Sequence, residues 1–146
     1  MMTTAYVMLV DDEVPFVETM TKRLDKRGLK IISAFSGEEA LKILKRNDTL
    51  DVIILDVKMP GMDGIETLQE IKKIYPLKEV IMLTGHATVE TAIEGMKLGA
   101  FDYLMKPCDI NTLVTKVDEA AKKKKSHDAK IEQARIDKLV LRRGYD

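Results

Sequence analysis

Apolar residues gather in five short blocks: "YVMLV" (6–10), "KIISAF" (30–35), "LDVIIL" (50–55), "EVIMLT" (79–84) and "FDYLM" (101–105). Each is rich in Val, Ile or aromatics, as strands are. Several are apolar on nearly every residue rather than on alternate ones, which suits strands buried on both faces. Amphipathic stretches separate them. "PFVETMTKRLDKRG" opens on Pro15 and closes on Gly28, and "SGEEALKILKR" carries Ser36 and Glu39 at capping-box spacing. "GIETLQEIKKIY", "TVETAIEGMKLG" and a last helix starting near Asp109 complete the set. Strict alternation predicts an α/β domain with a parallel sheet. Right-handed crossovers then favour a three-layer, doubly wound arrangement with any site at the C-terminal ends of the strands.

The pattern changes after residue 121. "KKKKSHDAKIEQARIDKLVLRRGYD" holds no strand, and Ile131, Ile136, Leu139, Val140 and Leu141 fit no single helical stripe. We expect a charged helical tail over residues 123–146, with the lysine run as a solvated helix end favoured by the macrodipole. The other 122 residues form one domain.

Composition narrows the class. The chain has 146 residues, of which 45% are hydrophobic, enough for one core. No apolar run approaches the roughly 20 residues of a membrane span, and the N-terminus lacks a basic region and a cleavage pattern. No membrane insertion and a cytoplasmic location are expected. Cys108 is the only cysteine, which excludes an internal disulfide framework and a cysteine-based zinc site. Residues 122–146 hold nine Lys/Arg against four Asp/Glu, so an acidic body precedes a basic tail. That is not a nucleic-acid footprint, and no direct nucleic-acid partner is expected.

The strand ends carry the chemistry. The first runs into Asp11, Asp12 and Glu13, the third into Asp56, the fourth into Thr84, Gly85 and His86, and the fifth into Lys106, Pro107 and Cys108. Strand order 2-1-3-4-5 brings the first and third together, so three carboxylates converge. At an effective dielectric near 20, two carboxylates about 4 Å apart repel by on the order of 4 kcal/mol. A hard cation would join them, and Mg²⁺ suits so small a set of oxygen ligands. Asp12 and Asp56 are the expected side-chain ligands, with Asp11 on a metal-bound water and the Lys58 backbone carbonyl facing inward. Lys106 supplies a compact positive charge and Thr84 a hydroxyl to a phosphoryl group set between them and the metal. Asp56 is then the candidate nucleophile, forming an aspartyl-phosphate. Each element has a plainer reading taken alone: "DD" as turn chemistry, Thr84 as a strand end, His86 as a loop histidine. Pro107 is either a strand terminator or a cis peptide that turns Lys106 inward.

In this order "MLVDDE", "LDVKMPGMDG", "MLTGHA" and "YLMKP" resemble the receiver domain of bacterial two-component response regulators, over about residues 4–122. The resemblance implies a flavodoxin-like, five-stranded fold and Mg²⁺-dependent transfer of a phosphoryl group to Asp56 from a sensor histidine kinase. It also implies a switch passed through Thr84 and Tyr103 to a downstream protein partner or a phosphorylation-dependent homodimer. Such a domain is a phosphoacceptor rather than a conventional enzyme. "LTGHATVETAIEGMKLGAFDYLMKPCD" is further similar to receivers of sigma-54 (NtrC-like) activators, so an excised receiver of such an activator is one alternative and a phosphorelay shuttle another. A flavodoxin-type FMN protein would need a phosphate-cradling loop where "DDE" stands. An aspartate-nucleophile phosphatase would need a second acid at Lys58.

Overall fold

The computed structural model describes residues 5–47 and 49–143 of the chain. The opening residues 1–4 and the last three residues of the tail therefore lie outside the described residues. The elements run β1 (Tyr6–Val10), α1 (Val14–Asp25), β2 (Lys30–Ala34), α2 (Gly37–Arg46), β3 (Val52–Leu55), α3 (Gly64–Ile74), β4 (Glu79–Thr84), α4 (Val89–Lys97), β5 (Asp102–Met105) and α5 (Ile110–Arg143). All strand pairs are parallel, and the sheet order is β2-β1-β3-β4-β5, as expected.

Successive strand residues point to opposite faces, so the sheet divides the apolar residues into two cores. Val7, Leu9, Val52, Ile54, Ile81 and Leu83 pack with α1 and α5 through Val17, Leu24, Leu113 and Val117. Met8, Val10, Ile53, Leu55, Val80 and Met82 pack with α2 and α3 through Ala40, Leu44, Leu68 and Ile71. Full burial on both faces holds for β3 and β4 and nearly so for β1, which explains their unbroken apolar runs. The expectation fails at the two edges: β2 and β5 are mostly half-buried, because each has a neighbour on one side only.

Side-chain caps fix the later helix starts, whereas α1 has none and opens with Pro15 in its first turn. Ser36 Oγ accepts from the Glu39 amide at 3.1 Å, the first half of the expected box; no return bond from Glu39 is found among the described residues. Complete boxes sit instead at Asp63–Glu66, opening α3, and Thr88–Thr91, opening α4. Each such cap contributes about 1 kcal/mol. Gly28 has φ 85°, the left-handed conformation that ends the turn after α1.

The lysine run departs from its expected place. It is not a helix end: α5 continues unbroken for 34 residues, so Lys122–Lys125 sit mid-helix and no macrodipole terminus favours them there. Two of the four are not simply solvated. Lys123 Nζ lies 3.3 Å from Glu79 Oε2 and Lys124 Nζ 3.8 Å from Asp51 Oδ1, and both acids are buried at the N-terminal edge of the sheet. Lys72 approaches the other Glu79 oxygen at 3.6 Å. From residue 129 to 142 the helix is exposed, including Ile131, Ile136, Leu139, Val140 and Leu141. No helix among the described residues is long and apolar enough to cross a membrane.

Candidate functional site

The C-terminal edge of the sheet brings the expected residues together. Asp11 follows β1 and donates its amide to Ala34 O (3.1 Å), while Asp56 follows β3 and donates to Val10 O (3.0 Å). Both therefore continue the parallel ladder by one residue, which fixes their Cα positions against the rigid sheet. An oxygen from each of Asp11, Asp12 and Asp56 lies within 4.8 Å of the others. Asp11 and Asp56 are buried, at 1% and 2% exposure, and Asp12 is half-buried.

The hydrogen bonds show how each acid is held. Asp11 Oδ1 accepts from the Glu13 amide at 2.9 Å, and its Oδ2 accepts from Lys106 Nζ at 2.6 Å. Asp56 Oδ1 accepts from the Val57 amide at 2.9 Å. Thr84 is fully buried, and its Oγ1 accepts from the His86 amide at 3.0 Å. Burial raises the Asp56 carboxyl above its ordinary 3.8, and repulsion from Asp11 adds to this; the Thr84 hydroxyl, the Lys106 charge and the Val57 amide oppose it without cancelling it. Burial alone would lower the Lys106 ammonium, but its hydrogen bond and Coulomb attraction to Asp11, with Asp56 and Glu13 behind, raise it on balance.

Lys106 is delivered by β5, whose register continues through the Lys106 amide to Thr84 O (2.9 Å). The Lys106–Pro107 peptide is cis, the second of the two readings open from sequence. A cavity of about 410 Å³ opens beside Asp12 and is lined also by Glu13, Lys58, Met59, Pro60 and His86. Lys58 and His86 also border a second cavity of about 440 Å³ that reaches Thr88 and Thr91 at the start of α4. The Lys58 side chain is exposed there. Tyr103 stands apart from the acids: half-buried on β5, its phenol pairs with Thr91 Oγ1 at 2.7 Å.

Three participants carry no role that the sequence pattern reveals. Glu13 Oε1 lies 3.2 Å from Lys106 Nζ, and the Phe16 ring centre lies 3.9 Å from the same atom. Both sit on the loop and first turn after β1, where "DDE" hints at Glu13; nothing local marks Phe16. Thr91 is the third, legible only as the N3 position of "TVET".

A doubly wound domain with an acidic cluster, a buried hydroxyl and a lysine on its C-terminal edge is the architecture of a phosphoacceptor signalling module. The chain belongs to the response regulator receiver domain family, whose model matches residues 7–118. It is 37% identical over 123 residues to the transcriptional regulatory protein ZraR of Escherichia coli K12, covering 84% of this chain and 28% of that protein. It is 39% identical over 112 residues to the DNA-binding transcriptional regulator NtrC of Klebsiella pneumoniae, covering 77% and 24%. The chain thus spans about a quarter of the length of these curated relatives. Among solved structures it resembles a response regulator receiver domain protein from Clostridium thermocellum, with a TM-score of 0.79, 39% identity, and coverage of 83% of this chain and 97% of that one. It is therefore a receiver domain of two-component response regulators, and its relatives include the NtrC-like group. Receiver domains take their phosphoryl group from histidine kinases, and the family is not a classical enzyme family.

Proposed function

We propose that Asp56 is the phosphoacceptor, that Asp11, Asp12, Asp56 and the Lys58 carbonyl hold Mg²⁺, and that Thr84 and Lys106 receive the phosphoryl oxygens. One observation carries this reading: a buried carboxylate at the end of β3 shares a space under 4.8 Å across with two more carboxylates, one of which, Asp12, lines an open cavity. At an effective dielectric near 20, each such pair repels by about 3–4 kcal/mol. Hard oxygen donors in this number fit Mg²⁺, and one lysine bound to Asp11 does not neutralise three acids. When bound, the ion supplies charge neutralisation for the transferring phosphoryl group.

The chain's own residues do the rest. An Asp56 oxygen attacks phosphorus in line as the bond from phosphorus to the donor nitrogen breaks, and the donor imidazole leaves with that electron pair. Lys106 and the Thr84 hydroxyl stabilise the charge spread over the phosphoryl oxygens. The test is direct. Acetyl phosphate with Mg²⁺ should add one phosphoryl group per chain, seen by intact-mass spectrometry, and excess EDTA should abolish it; labelling that persists in EDTA would exclude the metal role.

The same reading assigns the switch to Thr84 and Tyr103. A phosphoryl group on Asp56 draws the Thr84 hydroxyl towards it, and Tyr103 leaves Thr91 to fill the space. This repacks the face of α4, β5 and α5, where a downstream protein or a second copy binds. Exposed Val89, Ile93, Met96 and Met105 on that face support the assignment. Beryllofluoride with Mg²⁺ should shift the chain towards a dimer in light scattering, and Tyr103→Ala should weaken that association about fivefold or more, a coupling in the usual 1–3 kcal/mol range. An unchanged association constant would exclude Tyr103 as the relay.

We assign residues 1–122 to the receiver unit and 123–146 to a charged tail, helical through Arg143 and anchored through Lys123 and Lys124. Similarity to ZraR and NtrC favours a second reading at the level of the whole protein, the receiver of a sigma-54-dependent activator.

A further inference from the structure

Lys106 is held from three sides, and the three contacts are not equivalent. Asp11 Oδ2, at 2.6 Å, belongs to the acidic cluster, so the oxygen it gives to the lysine is withheld from any cation there. Glu13 Oε1, at 3.2 Å, is on a side chain 60% exposed, where water and salt screen its pull. The Phe16 ring, 3.9 Å from Nζ to its centre, is neutral, lies one turn after Glu13 on α1, and is packed against the core of α1, α5 and the sheet.

A ring face attracts a cation through its quadrupole, without a charge that could compete for metal or protons. An ammonium has three donors. Seated on the ring, Lys106 can release Asp11 and turn donors towards a phosphoryl group while its nitrogen stays in place. Without the ring, an ammonium that leaves Asp11 has only a solvent-exposed carboxylate to follow.

We infer that Phe16 is a positioning residue for Lys106: its ring is the platform that keeps the ammonium at the site when Asp11 lets go. The inference rests on the proposal that Lys106 serves phosphoryl transfer. Phe16 carries no group that could ligate a cation or bind a phosphoryl oxygen and acts through the lysine alone.

The full chain is compared with Phe16→Leu, which keeps apolar bulk and removes the ring face, and with Phe16→Tyr, which keeps the face. Phe16→Met replaces the leucine variant should the latter melt below the assay temperature. In metal-free protein the ε-methylene protons of Lys106, assigned through Lys106→Arg, should show an upfield ring-current shift that Phe16→Leu loses and Phe16→Tyr retains. With saturating Mg²⁺, the maximal rate of phosphorylation by acetyl phosphate should fall about fivefold in Phe16→Leu. The half-saturating donor and Mg²⁺ concentrations should stay unchanged, and Phe16→Tyr should match the parent. A wild-type rate in Phe16→Leu, or an equal loss in both variants, would overturn the platform. The failure of the parent reading looks different: Lys106→Ala would then phosphorylate at the wild-type rate, while the ring-current shift of the intact chain remained.

Discussion

Asp56→Asn should take up no phosphoryl group from acetyl phosphate and Mg²⁺, yet fold more stably than the parent. The first half follows from chemistry: an amide oxygen is not a nucleophile of carboxylate strength, and the change also removes one of the three charges proposed to hold Mg²⁺. The second half follows from burial. Asp56 is 2% exposed, with Asp11 beside it, and its carboxyl is raised by burial first and by Asp11 second. A folded-state value above the unfolded one means the native state holds the proton more tightly, so the stability associated with it is fully present below about 3.8 and is lost as pH rises through the folded value. Asparagine titrates nothing. The stability gap between variant and parent should therefore open in favour of the variant as pH climbs above 3.8 and level off once Asp56 is ionised. Urea unfolding in EDTA across that range measures it. Adding Mg²⁺ should close the gap, because the ion stabilises the parent's three carboxylates and only two in the variant. A flat difference across pH would mean that Asp56 carries no burial penalty, and residual labelling at full stoichiometry would remove it from the reaction.

Much of this site is legible in the order of residues along the chain, for a physical reason. Asp11, Asp56, Thr84 and Lys106 all follow strands at one end, and parallel strands with right-handed crossovers leave few places for those ends to go. What the chain order hides depends on side chains meeting across elements. Phe16 carries no local mark that distinguishes a ring under a lysine from a ring in the core. The switch role proposed for Tyr103 comes only from the family resemblance, and its hydrogen-bond partner Thr91 is found only once α4 lies beside β5. The lysine run misleads differently. Charge statistics assign "KKKK" to solvent, whereas Glu79 and Asp51 are buried and need a countercharge. Those acids sit in "LDVIIL" and "EVIMLT", where they look like mere strand starts. Burial costs dominate over propensity there, and α5 is pinned to the sheet about one and a half turns before its exposed length begins.

Gly64→Ala should cost about 3 kcal/mol or more, although alanine is the better helix former by about 1 kcal/mol. Gly64 opens α3 immediately after the Asp63 cap, and its amide donates to Val57 O at 2.7 Å. Its φ is ordinary, so backbone conformation is not the constraint. Space is. A Cβ there would lie 2.0 Å from Asp56 O and 2.6 Å from Val57 Cα, backbone atoms of the proposed phosphoacceptor and its neighbour. No rotamer change relieves a clash with main chain. Either α3 retreats, breaking the Gly64–Val57 bond and loosening Leu68 and Ile71 in their core, or the Asp56–Val57 segment is displaced out of line with Asp11. Both routes should show in one variant as a melting temperature lower by roughly 10 °C and a slower rate of phosphorylation at saturating Mg²⁺. Gly85→Ala is the control: its Cβ would meet only the Lys106 Cδ at 3.9 Å, an ordinary contact, so stability should change by less than about 0.5 kcal/mol. Equal melting temperatures for the two variants would show that α3 does not press on the Asp56 backbone, and that the acid's position is set by the sheet alone.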